Sequence, residues 1–138
     1  MQNDFFIAYR HDADNIALDF DRRPDFSTGN AENSVLAGLI SALGFADTAK
    51  KLAGDEYLVA MRSDEGPWVF DLPDELTNGL AELQSENAAD LADRWAASEE
   101  LSYHGVTGAD MLPAVNSLKS LAEKARGSEQ RLLLRMAM

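Results

Sequence analysis

Arg131-Leu132-Leu133-Leu134-Arg135-Met136-Ala137-Met138 stands at the end of the sequence, and its reading decides the fold. In an extended strand side chains alternate between faces, so Leu132, Leu134, Met136 and Met138 point to one side. A strand at a chain end becomes ordered by docking into a sheet, so partner strands must lie elsewhere in the chain. Phe5-Phe6-Ile7-Ala8-Tyr9, a short apolar run bounded by Asp4 and Arg10, has the pattern of a buried strand. Tyr57 to Met61 and Trp68 to Phe70 are two more, joined by the turn-forming Asp64-Glu65-Gly66-Pro67 into an antiparallel hairpin.

Helical periodicity fills the space between these strands. Asp12 is placed to cap a helix in which Ala13, Ile16, Ala17 and Phe20 share a face, although residues 16–20 also alternate as a strand would. Residues 22–33, with Pro24 and Gly29, read as a loop. Ser34 opens a helix with Val35, Leu36, Leu39, Ile40 and Leu43 at helical spacing, closed by Gly44, and a shorter helix runs from Ala46 to Leu52. Pro73 and Asp74 start another, carrying Leu76, Leu80 and Leu83. Ala88, Leu91, Ala92 and Trp95 form the apolar face of one helix spanning Ser85 to Leu101, broken by Tyr103-His104-Gly105. Asp110 then caps a long helix with Pro113 in its first turn, ending at Gly127. The expectation is one domain over residues 1–138 of α+β class. A small, mostly antiparallel sheet of about four strands packs with five or six helices on one face.

The chain has 138 residues, no cysteine, and 24 acidic against 12 basic residues, a net charge of −12. A domain of this length buries roughly two-thirds of the surface its unfolded chain exposes, enough for a self-sufficient core. The absence of cysteine removes disulfide frameworks, thiolate metal sites and cysteine nucleophiles. The negative charge opposes contact with a phosphate backbone, so no nucleic-acid partner is expected. No stretch approaches the roughly 18 apolar residues of a membrane span and no leader-like segment opens the chain, so no membrane association and a cytoplasmic location are expected. The charge is uneven. Residues 1–117 hold 22 acids and 7 bases, a net −15, while residues 118–138 hold 2 acids and 5 bases, a net +3.

Candidate chemistry is sparse. His11-Asp12-Ala13-Asp14-Asn15 opens like a calcium loop, but oxygen ligands and the turn glycine are replaced by Ile16 and Ala17, and the closing acid by Arg23. Asp19 and Asp21 have a spacing found in some metal–nucleotide sites, but acidic chains produce it by chance. No metal or cofactor site is therefore expected. There is no Gly-x-Ser-x-Gly elbow, no Gly-x-x-x-x-Gly-Lys and no Gly-x-Gly-x-x-Gly. The best acid–base grouping is Glu99, Glu100, Tyr103 and His104, where a helix end presents carboxylate and imidazole together. Trp68 and Trp95 suit either core packing or the wall of a ligand pocket.

Leu72-Pro73 at a helix start, the run Arg94-Trp95-Ala96-Ala97-Ser98-Glu99-Glu100-Leu101 and the closing Leu132-Leu133-Leu134 resemble features of small uncharacterised bacterial proteins of similar size. The resemblance covers residues 66–138 and implies no activity and no site. The sequence thus favours a non-enzymatic interaction protein whose acidic surface meets a basic protein partner, as inhibitor and immunity proteins do. One competing expectation is a small enzyme or ligand-binding protein with a pocket near Trp95, Glu100, Tyr103 and His104. Another is a homo-oligomer built through an exposed face of the C-terminal strand or helix.

Overall fold

In the computed structural model, which describes residues 2–18, 22–29 and 31–138, the C-terminal segment forms the middle of a sheet. The strands β1 (Gln2–Ala8), β2 (Phe26–Thr28), β3 (Leu58–Met61), β4 (Trp68–Asp71) and β5 (Arg131–Ala137) run antiparallel in the order β2-β1-β5-β4-β3. β5 pairs with β1 from Gln2 opposite Ala137 to Ala8 opposite Arg131. Its other edge pairs with β4 from Trp68 opposite Met136 to Asp71 opposite Leu133. Leu132 through Met136 are all buried. Both edges of β5 are thus taken up within this sheet, and its central residues are covered on both faces.

Alternation along the strands feeds two environments. Phe5, Phe70, Leu132, Leu134 and Met136 face a large core completed by α2 (Asn33–Ala42), α3 (Ala46–Ala53), α4 (Asp74–Glu82), α5 (Ala88–Ala96), α6 (Glu99–Tyr103) and α7 (Gly108–Gly127). Phe6, Ala8, Val69 and Leu133 face the opposite way, where Ala13, Ile16 and Ala17 of the short α1 (Ala13–Leu18) cover them. Helices therefore lie on both faces, not one. Each fully buried leucine or phenylalanine contributes about 1.5–3 kcal/mol relative to exposure, so the larger core, with Leu36, Leu76, Leu91 and Leu118 all at 0% exposure, dominates stability.

The α+β class stands, with finer differences that have physical causes. The described residues hold seven α-helices and five strands. The additional strand β2 lies in the segment read as a loop, where Phe26 pairs with Phe5 across the sheet and their rings sit 5.8 Å apart. Tyr9 lies outside β1, and Arg10–Asp12 form a 3-10 turn before α1. Phe20, Asp19 and Asp21 lie outside the described residues. The long helix begins at Gly108, with Thr107 as its cap. Asp110 is not the cap: its carboxylate accepts from the Thr107 amide at 2.9 Å while Thr107 Oγ1 accepts from the Asp110 amide, a reciprocal capping box. The bond from the Thr107 backbone, reinforced by its hydroxyl, holds the Asp110 carboxyl below its ordinary range. Pro113 consequently falls at the sixth helical position. It is exposed, as is Ala109, the residue whose carbonyl the proline deprives of an amide donor.

Candidate functional site

The helix expected over Ser85–Leu101 is interrupted, and the interruption builds a groove. After a 3-10 turn at Ser85–Asn87, α5 ends at Ala96, and extended Ser98 (φ −60°, ψ 149°) starts α6. Two contacts hold this junction against α2. The indole Nε1–H of fully buried Trp95 donates to the Val35 carbonyl at 2.9 Å. One turn along, a methyl group placed on Gly38 would stand 2.9 Å from Ser98 Cβ, so only glycine permits this approach of helix to junction. Ala97 and Ser98 continue the polar–apolar pattern of a single helix, which is why the break was not legible.

The resulting groove has a volume of about 640 Å³. Val35, Leu101 and Val106 supply its apolar part, and Glu32, Glu99 and Glu100 its carboxylates, with Tyr103 and His104 alongside. Glu32 is the residue before α2, and Glu99 and Glu100 lie in the first turn of α6. Carboxylates are stabilised at helix N-termini by the positive end of the helix dipole, which offsets part of their mutual repulsion. None of the three forms an ion pair among the described residues. Among the described residues the Glu32 carboxylate accepts only from the Ser34 hydroxyl, at 3.3 Å. Tyr103 is 86% exposed, and its ring meets that of His104 edge to face, with centroids 5.4 Å apart.

Glu100, Tyr103 and His104, singled out in the sequence, thus share one groove. Trp95 does not line it: the indole lies in the core behind and holds Val35 in place. Among the described residues no hydrogen bond links Glu100, Tyr103 and His104, so no proton path between them is organised. Glu32 and Val35 were missed because more than sixty positions separate them from α6, and nothing local to residues 32–35 marks them as part of a site.

A second cleft, of about 390 Å³, contains Arg10, Glu56, Asp71, Asp74, Glu75 and Arg131. Here the two aspartates are paired, while Glu56 and Glu75 stand beside them without an ion pair among the described residues. Arg131 Nε donates to Asp71 at 2.8 Å and Nη2 to the Leu72 carbonyl at 3.0 Å, while Nη1 bonds Asp74. Burial opposes the Arg131 charge, but the two carboxylates outweigh it and hold the guanidinium above its usual range. Arg10 adds a looser contact, 3.6 Å from Asp71. Other C-terminal cations are also engaged: Lys119 with Glu123, Arg126 with Glu82, and Arg135 with Asp4.

Among the described residues no cluster of three or more acidic or histidine side chains is arranged to hold a metal ion, and none of their helices is long and apolar enough to cross a membrane. Compared with protein-family models, curated proteins and solved structures, the chain matches none.

Proposed function

We propose that this chain is a non-enzymatic interaction protein whose acidic surface binds a basic protein partner, in the manner of an inhibitor or immunity protein. The observation that carries this reading is the convergence of Glu32, Glu99 and Glu100 on a groove with an apolar floor. Among the described residues these carboxylates have no internal cation, whereas the buried Asp4 and Asp71 do. A cationic segment laid in the groove would neutralise the carboxylates while covering Val35 and Val106. Complementary potential of this kind governs association rate and partner choice. The competing reading, catalysis by Glu100, Tyr103 and His104, requires hydrogen bonds that organise a proton path, and none links the three among the described residues. A binding surface requires only that they share a groove.

The test is the affinity for a hexalysine peptide followed by amide chemical shifts, at about 20 mM and about 300 mM salt, a range over which the screening length shrinks several-fold. Support is binding at low salt whose shifts cluster on residues 32–35 and 99–106 and which weakens steeply with salt. Absence of binding, or shifts spread evenly over the surface, contradicts the reading.

A further inference from the structure

The groove's composition says more than that its occupant is basic. Its acceptors come from two helices, Glu32 from before α2 and Glu99 and Glu100 from α6, so they approach an occupant from more than one direction. A lysine ammonium is a compact point charge, whereas an arginine guanidinium is a planar fork of five donors that engages several carboxylate oxygens at once. Beside these acceptors stands Tyr103, almost wholly exposed, its ring meeting His104 edge to face. An aromatic face in this position is matched to a flat cation, which stacks on it with both charge and plane. Val35 and Val106 then meet the aliphatic stem that precedes the charged head.

Resting on the reading of the groove as a site for a basic partner, we propose that its anchor is specifically an arginine of that partner, with its stem over Val35 and Val106, its guanidinium among Glu32, Glu99 and Glu100, and its plane against Tyr103. The groove is the size of a pocket for a few side chains. One anchoring arginine with its flanking residues fills it.

Labelled hexa-arginine and hexalysine peptides of equal charge, titrated into the full chain and its Tyr103→Ala variant, provide the test. The expected result is a preference for arginine of roughly three-fold or more, the scale of an exposed cation–π contact. Tyr103→Ala should erase that preference, and Glu99→Gln with Glu100→Gln should weaken both peptides. Because Tyr103 is exposed, its truncation leaves the fold intact. Equal affinities for the two peptides at the groove overturn the arginine anchor while leaving a generic basic partner standing. Failure of both peptides to bind overturns the underlying reading as well.

Discussion

The two clefts use carboxylates in opposite ways. In the cleft around Arg131, Asp71 and Asp74 are held by a guanidinium from the neighbouring strand, and Arg10 approaches from the other side. In the groove between α2 and α6, Glu32, Glu99 and Glu100 have no such partner among the described residues, and an apolar surface lies between them. The first arrangement is structural, because Asp71 is buried and an unpaired buried carboxylate would be costly. The second leaves its charge facing outward. The two clefts therefore differ in whether a cation of the chain itself meets their carboxylates: Arg131 and Arg10 do so at Asp71, and none does so at Glu32, Glu99 or Glu100 among the described residues.

The comparison breaks most severely if the support behind the groove is removed. Trp95→Phe deletes the donor to the Val35 carbonyl and leaves a void in a fully buried position, with an expected loss of about 3 kcal/mol in urea unfolding. A loss below about 1 kcal/mol would show that the indole does not pin α2 to α5. Arg131→Met tests the cleft of paired aspartates, stripping Asp71 of its closest cation. Because the Arg131 side chain is about one-third exposed, the expected cost is about 2 kcal/mol, below that of a fully buried pair. Unchanged stability would mean that Arg10 alone suffices for Asp71.

A buried polar group with no partner sharpens the contrast further. Asn3 is fully buried, and among the described residues neither its carboxamide nitrogen nor its oxygen has a hydrogen-bond partner. Replacing the amide by a similar apolar volume, Asn3→Leu, is expected to raise stability by about 1 kcal/mol, since an unsatisfied buried amide costs at least that much. A destabilised variant would contradict it.

The smallest effect concerns the Thr107–Asp110 capping box. A carboxyl whose folded-state titration lies below its unfolded-state value adds stability at pH above the unfolded value, and that stability is lost as pH falls through the folded value. Asp110 is lowered by its bonds to Thr107, so the capping contribution should disappear only below the ordinary aspartate range. Comparing Asp110→Asn with the parent chain by thermal unfolding across acidic pH checks this. The two curves should converge at the acid end and separate towards neutrality, and a constant separation would refute the linkage.

What the sequence disclosed follows the same division between local and distant. Leu132, Leu134 and Met136 announced a strand because alternation is local, and Glu99 to His104 were visible as a group because they are nearly contiguous. β2 was hidden because Ser27 and Thr28 carry no apolar alternation, and its pairing with β1 depends on Asp25 and Phe26 meeting Phe5. The face covered by α1 was hidden for a related reason: Phe6 and Leu133 identify themselves as buried, not as turned away from the main core. Half of the groove was legible and half was not, since Glu32 and Val35 are brought to α6 by packing between distant segments, including the Trp95 contact and the close approach at Gly38.

The most direct test sets charge against position. Glu32→Gln, Glu99→Gln and Glu100→Gln together remove three charges from the groove, and Asp14→Asn, Asp64→Asn and Glu86→Gln remove three from exposed positions outside it. Calorimetric titration of a hexa-arginine peptide should show affinity falling roughly ten-fold or more for the groove triple, about 1.4 kcal/mol, and less than two-fold for the distant triple, in line with screening of separated surface charges. Equal losses in the two triples would contradict the groove as the site and reduce the acidity of this chain to a general property of its surface.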